Sequence, residues 1–309
     1  PDKFATRQFI SHLMPLVCLW TTHLYHFCRR DRWIPKRAMT QYCRDLTNEE
    51  YASCFDLFKT ISTEWDALSN WLKHVCIPGL GLGDSVDILS IGSGRGDFDI
   101  TLIGLLADSC PQIMYTAVDP NYEHNRIFSK KIRNFRPIID SFRIIPEPFG
   151  AGTVGGSFDL IHLTHCLYYI PDRKSAIRSA YEMLKPGGSL LIFHQTALGV
   201  NEVQRLFMGR VKGDEKEMFS AHDLLGIIES LGLPFTFDIL ISDLDVTDII
   251  EDTSKGRQLL EFFLEAKLDG ADEALLSEIR GYVEDNCRVE DGRYFFFHPG
   301  SIFWITKES

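Results

Sequence analysis

Gly92, Gly94 and Gly96 alternate with Ser93 and Arg95 and are closed by Asp97; no other stretch of the chain restricts the chemistry so far. Val86-Asp87-Ile88-Leu89-Ser90-Ile91 precedes them and is apolar or small at five of its six positions, as a parallel strand buried on both faces requires. Residues 97–106 read as a helix. Strand, glycine turn and helix together form the nucleotide-cofactor crevice of a doubly wound sheet. The spacing then separates one cofactor from another. A dinucleotide loop reads G-x-G-x-x-G and seats a pyrophosphate on the helix N-terminus. Here the pattern is G-x-G-x-G, and Asp97 stands where the third dinucleotide glycine would be. A carboxylate there repels a pyrophosphate by about 1–4 kcal/mol near a surface. S-adenosylmethionine has no phosphate, and its sulfonium and ammonium both favour a nearby acid.

A second acid follows at the expected distance. Ile113-Met114-Tyr115-Thr116-Ala117-Val118 reads as the next strand and ends on Asp119-Pro120. Alone, Asp119 could be a turn residue before proline. Behind a glycine loop, it lies at about the 20-residue offset at which such folds place a carboxylate on a ribose hydroxyl.

These residues need elements to position them. From 48 to 76 apolar residues recur at gaps of three and four, which predicts one helix with a buried stripe. Pro78 and the glycines at 79, 81 and 83 end it. A second crossover helix is expected over 121–135, strands over 141–145, 157–164 and 189–194, and a helix over 172–184 stopped by Lys185-Pro186-Gly187-Gly188. The proline- and glycine-rich stretch 146–157 reads as a loop. A helix over 221–231 leads to a strand at 235–241. Helices near 255–267 and 271–286 follow, and a hairpin-like pair of runs at 293–297 and 301–306 closes the chain. The alternation of strand and helix predicts an α/β fold with a mostly parallel sheet.

Composition sets wider bounds. The formal net charge is −11 and no basic stripe occurs, which argues against a nucleic-acid partner. The eight cysteines are scattered, with no C-x-x-C pair and no metal-ligand spacing. Free thiols in a reducing cytoplasm are the simplest reading, and no metal is expected. Residues 1–45 differ from the rest: the run 9–27 is apolar-leaning and near the length of a membrane span, but three histidines, two threonines and Pro15 make it a poor one. It is read as a weakly ordered extension. Residues 46–309 are read as one domain, with acceptor-binding elements from 46–76 and 196–309. Nothing in the sequence demands a dimer, so a monomer is expected.

The glycine loop, Asp119, Phe158-Asp159-Leu160-Ile161 and Met183-Leu184-Lys185-Pro186-Gly187-Gly188 together resemble the Rossmann-like, S-adenosylmethionine-dependent methyltransferases. That resemblance covers about residues 84–241 and implies a seven-stranded sheet, flanked by helices, whose last strand is inserted antiparallel, with a small helical substrate-binding subdomain. A closer resemblance, from about residue 48 to the C-terminus, is to the histamine N-methyltransferase family. It rests on Glu50-Tyr51 through Glu64, Pro78-Gly79, Ile88-Leu89-Ser90-Ile91-Gly92 and above all Ile161-His162-Leu163-Thr164-His165-Cys166-Leu167-Tyr168-Tyr169.

The resemblance implies roles. Gly92, Ser93, Gly94, Gly96 and Asp97 are expected around the cofactor, with Asp119, Pro120, His124 and Thr164. Glu64 matches a substrate-binding glutamate. His165 falls where the family has a substrate-facing glutamine, and His298 near a substrate-binding asparagine. Tyr168 and Tyr169 match an aromatic pair that walls the amine pocket. Two amides thus become histidines, whose donors and acceptors are differently placed. The implied substrate is a small amine or imidazole-bearing molecule rather than histamine itself. His162 is read as structural, His194 is given no role, and Arg95 is expected to point to solvent. The mechanism implied is positioning without a catalytic acid or base. A small-molecule O-methyltransferase and a non-catalytic S-adenosylmethionine-binding protein are the alternatives.

Overall fold

The computed structural model describes residues 42–308, except 108 and 214–217. The extension expected over 1–45 therefore lies outside the described residues up to position 41. Residues 43–45 belong to the body: Cys43 donates its N–H to the Val211 carbonyl, Lys267 donates to the Arg44 carbonyl, and Asp45 bridges Ala266. Among the described residues, no helix is long and apolar enough to cross a membrane.

The centre is a seven-stranded sheet built from β1 (Ser85–Ile91), β2 (Gln112–Val118), β3 (Ser141–Ile145), β4 (Phe158–Thr164), β5 (Leu184–Gln195), β6 (Phe235–Leu240) and, further on, β10 (Gly300–Thr306). The order is β3-β2-β1-β4-β5-β10-β6, with β10 antiparallel to both of its neighbours. This is the Rossmann-like sheet with an inserted last strand. After β3 the chain returns to place β4 beside β1, so the order reverses there, and the crevice opens beyond the ends of β1 and β4.

Helices cover both faces. On one, Ile88, Leu160, Leu191, Phe193 and Ile302 meet Leu68 and Trp71 of one helix and Leu102 and Leu106 of another. On the other, Leu89, Ile91, Ile161, Leu163, Ile192 and Phe303 meet Ile177, Leu224 and Ile228. Neighbouring positions on one strand serve opposite cores. That is why these strands read as apolar runs rather than as alternation.

Two expectations are corrected. The helix expected over 48–76 is broken into α1 (Asn48–Ile61) and α2 (Glu64–Trp71), the latter continued by a π turn (Leu72–Cys76) and a short turn (Ile77–Leu80). Ser62 pairs with Leu244, and Thr63 exchanges hydrogen bonds with Asp243, its N–H donating at 3.1 Å and its Oγ1 accepting at 2.9 Å. Helix formation loses those backbone groups to a neighbouring strand. The Ser62 hydroxyl then takes the Glu64 N–H at 3.2 Å and starts the next helix.

The closing hairpin is not one. β7 (Asp243–Asp245), β8 (Cys287–Glu290) and β9 (Arg293–Phe297) form a separate antiparallel sheet in the order β7-β9-β8, while β10 crosses into the main sheet. Ile302-Phe303-Trp304-Ile305 is apolar on consecutive positions and needs a strand covered on both faces. The part of the chain outside the main sheet thus includes a small sheet of its own, which the periodicity does not announce.

The longer helices that follow are α3 (Asp97–Leu106), α4 (Tyr122–Ile132), α5 (Arg173–Glu182), α6 (Val200–Lys212), α7 (Ala221–Ser230), α8 (Ser254–Leu264) and α9 (Glu273–Asp285). The sequence reading left α6 unassigned.

Candidate active site

The crevice has two sides, built differently. The cofactor side is mostly backbone. Gly96 caps α3 with φ 72°, and a Cβ there would lie 2.1 Å from the Phe128 ring. Only glycine fits. Gly92 donates to the Val118 carbonyl at 2.8 Å, and Gly94 donates to Asp119 Oδ2 at 2.9 Å. A side chain at Gly94 would meet no atom within 4 Å, so the loop is open on that side.

Asp119, at the end of β2, also accepts the Asn121 N–H on Oδ1 at 2.8 Å. Burial pushes its carboxyl up, but the neighbouring His124 ring and hydrogen bonds from the Asn121 and Gly94 amides outweigh this and hold it below the usual carboxylate range. It stays ionised and retains lone pairs for hydroxyl donors. His124 stands 3.7 Å away with a half-exposed ring, and Pro120 is exposed at the strand end. The Ser93 hydroxyl is buried without a partner. An ionised acid, an open loop and an unpartnered hydroxyl fit a ribose-bearing cofactor.

Asp97 lies at the start of α3, with Lys131 at 2.5 Å and Lys59 at 3.8 Å. Its charge is therefore already matched by protein cations. Thr164 ends β4, half-buried, and its hydroxyl sits 3.3 Å from His162 Nδ1. His162 is structural, as expected from sequence. Its Nε2 meets the Tyr115 hydroxyl at 2.9 Å, and that hydroxyl donates to Asp99 at 2.7 Å. The result is a buried polar chain that ends at Thr164.

The acceptor side is made of side chains from four distant segments. Glu64, the first residue of α2, is 7% exposed. Its Oε1 lies 3.1 Å from His165 Nε2. A Cβ at Gly300 would lie 2.9 Å from that oxygen, so β10 begins on a residue that lets the carboxylate approach. Burial alone would raise the Glu64 pKa. The imidazoles of His165, His298 and His194 reverse this and bring it to about 2. Burial lowers the His165 pKa, and the Glu64 charge more than restores it, to above the ordinary histidine value. His165 has φ 47°, a strained position for a residue with a Cβ, and strain of this kind gathers at functional sites.

His298 is buried beside them. It accepts the Val200 N–H on Nδ1 at 3.3 Å and meets Phe58 edge-on at 5.8 Å. The Tyr168 ring packs 4.6 Å from Tyr169 and 5.6 Å from His194. Tyr169 is 68% exposed and meets Tyr51 hydroxyl to hydroxyl at 3.4 Å, so it stands at the rim. Thr164, on the cofactor side, directly precedes His165 in the chain. Cys166, next along, lies against Gly92. The two sides therefore adjoin.

Sequence reasoning missed two residues. His194 at the end of β5 is fully buried against Tyr168; a strand-end histidine carries no sequence signal of a pocket. Arg95 does not point to solvent: its guanidinium donates to Asp56 of α1 at 3.1 Å. Among the described residues, no group of three or more His, Cys, Asp or Glu could hold a metal ion.

The chain is similar to known proteins. Residues 49–234 match the methyltransferase domain family model. Carnosine N-methyltransferase 2 of Gallus gallus is 26% identical, covering 86% of this chain and 88% of its own length. Histamine N-methyltransferase of Xenopus tropicalis is 26% identical, covering 84% of this chain and 96% of its own. A solved methyltransferase from Geobacter sulfurreducens is 14% identical with a TM-score of 0.45, covering 88% of this chain and 95% of that one. The family model spans more than half of the 309 residues and contains the glycine loop, Asp119 and His165, so the chain belongs to the methyltransferase domain family as an S-adenosylmethionine-dependent methyltransferase.

Proposed function

We propose that the protein methylates a nitrogen of a small amine or imidazole-bearing acceptor. One observation carries the reading: Glu64 is a buried, ionised carboxylate beside His165, with His298, His194 and Tyr168 close enough to interact with it electrostatically. A buried charge is costly unless it has a partner. A cationic or N–H-bearing acceptor supplies a second one. The similarity to histamine and carnosine N-methyltransferases supports the same acceptor class.

Bound S-adenosylmethionine supplies an electrophilic methyl group on its sulfonium, and this chain supplies position. Asp119, Gly94 and Ser93 hold the cofactor, with Gly92, Gly96, Asp97, Pro120, His124 and Thr164 shaping its seat. Glu64 and His165 fix the acceptor by charge-assisted hydrogen bonds, stronger than neutral ones. His298, Tyr168 and Tyr169 complete the wall. Holding two reactants in line can contribute about 7–11 kcal/mol to barrier lowering. A neutral imidazole nitrogen needs no prior deprotonation, since its reference pKa is about 6.5.

Glu64→Gln keeps the shape and removes the charge. With histamine as probe, the variant should show a KM raised about 30- to 150-fold, a loss of about 2–3 kcal/mol. Its S-adenosylhomocysteine affinity should be unchanged. A neutral phenol or carboxylate methylated equally well by wild type and variant would favour an O-methyltransferase and sink the amine reading.

A further inference from the structure

His194 is a buried ring with one nitrogen spoken for and one bare. Nε2 lies 3.3 Å from the Phe219 carbonyl oxygen. A carbonyl only accepts, so Nε2 carries the hydrogen. Burial, with the nearby His165 charge, brings the His194 pKa down to about 3, so the ring is neutral. In a neutral ring protonated on Nε2, Nδ1 is an acceptor. That Nδ1 is buried and has no partner among the described residues.

Asn201, at the start of α6, repeats the situation. It is fully buried, its Nδ2 donates to the same Phe219 carbonyl at 3.5 Å, and its Oδ1 has no partner among the described residues. Two donors thus share one carbonyl, and each side chain is left with a bare acceptor. Nearby, the Ser301 hydroxyl donates to the His194 carbonyl at 2.7 Å, and Arg173 Nε donates to the Leu167 carbonyl at 3.0 Å while its guanidinium stacks on Phe219. Buried acceptors without donors are uncommon and call for an explanation. The His194 ring packs against Tyr168 in the acceptor wall and lies near enough to Glu64 and His165 to influence both electrostatically.

We propose that His194, with Asn201 beside it, is a second recognition point for the methyl acceptor, taking a hydrogen bond from an N–H or O–H other than the group held at Glu64. The inference rests on the amine reading above and narrows it. The acceptor carries two donor groups at its two ends. A molecule with one donor leaves the bare acceptors unpaired, and a site built for a hydrogen bond discriminates strongly against ligands that lack it.

The test uses three probes with the full chain, measured by calorimetry in the presence of S-adenosylhomocysteine. Histamine carries a ring N–H and an amine. 4-Ethylimidazole carries only the ring N–H, and n-pentylamine only the amine. His194→Leu should weaken histamine about 10- to 30-fold and leave the one-ended probes within about twofold. His194→Gln, which keeps an acceptor, should recover part of the loss. S-adenosylhomocysteine affinity should not move. If the leucine variant does not fold, nitrogen NMR of the wild-type ring decides: the Nδ1 resonance should shift with histamine and not with both one-ended probes. Equal losses on all probes, or no loss and no shift with histamine, would overturn this inference alone. Failure of every probe to bind wild type would overturn the amine reading and this inference with it.

Discussion

The two sides of the crevice hold their ligands with different materials. The cofactor side uses peptide groups and three glycines within five residues, with one acid fixed by backbone N–H donors. The acceptor side uses side chains from α2, the turn after β4, the end of β5 and the link before β10. A backbone site tolerates little change in sequence, because its geometry is set by φ angles and by the absence of Cβ atoms. A side-chain site can be rewritten one residue at a time. Methyltransferases of one family can therefore share a cofactor seat and differ in their acceptors.

The largest effect should follow from breaking the backbone side. Gly96→Ala forces a left-handed residue with a Cβ into the Phe128 ring. Left-handed strain costs about 1–2 kcal/mol and overpacking about 1–3, so a loss of roughly 2–5 kcal/mol in unfolding free energy is expected. Urea denaturation measures it. A variant as stable as wild type would show that the loop relaxes freely and that the contrast between the two sides is overstated.

Acid should separate the sides next. His162 and His194 are held to about 3 by burial, far below the ordinary 6.5. Below pH 6.5 the unfolded chain binds protons that the native state refuses, so each histidine removes stability as pH falls, at about 1.4 kcal/mol per unit. Asp99 has the opposite sign: burial raises it to about 6, so between there and its ordinary 3.8 the native state binds the extra proton and offsets one histidine. His165, raised by Glu64, keeps its contribution at low pH and loses it only as pH rises through its folded value. The net expectation is a loss of roughly 2–3 kcal/mol from pH 6.5 to 4.5, less in a folded His194→Leu variant. S-adenosylhomocysteine affinity should stay nearly flat over that range, because Asp119 titrates below the usual carboxylate range. Stability that does not change with pH would show that these rings are not buried and neutral.

The same contrast explains what the sequence could tell. The glycine spacing, Asp119 and the helix Asp97–Leu106 follow from local rules, and the structure has them where those rules put them. The break at Ser62-Thr63 was invisible, because its cause is a partner strand at Asp243, far along the chain. His298 looked like the tip of a hairpin, yet it joins two sheets. Glu64 and His165 are brought together by tertiary packing alone, and periodicity cannot announce a pair of that kind. A resemblance to known sequences names both residues but assigns nothing to His194, whose buried Nδ1 has no partner among the described residues.

The smallest effect should come where the two sides touch. Asp56 of α1 accepts from Arg95 of the glycine loop at 3.1 Å and from Lys59 at 3.0 Å, and Lys59 reaches on to Asp97 at 3.8 Å. The Asp56 side chain is 52% exposed, so water screens these pairs. Exposed pairs contribute about 0–1 kcal/mol, and Asp56→Asn should change unfolding free energy by less than about 1 kcal/mol. Its position gives it a second consequence. The α1 helix packs on the other side of the crevice through Phe58 against His298 and Tyr51 against Tyr169, while Arg95 lies in the glycine loop, so this link ties one to the other. Loosening it should speed S-adenosylhomocysteine release a few-fold in stopped flow, at about the kinetic scale of a pair worth under 1 kcal/mol. High salt should mimic the substitution in wild type and add nothing in the variant. If Asp56→Asn shifts histamine KM as much as cofactor release, the two sides are one coupled site, and the contrast drawn between them gives way.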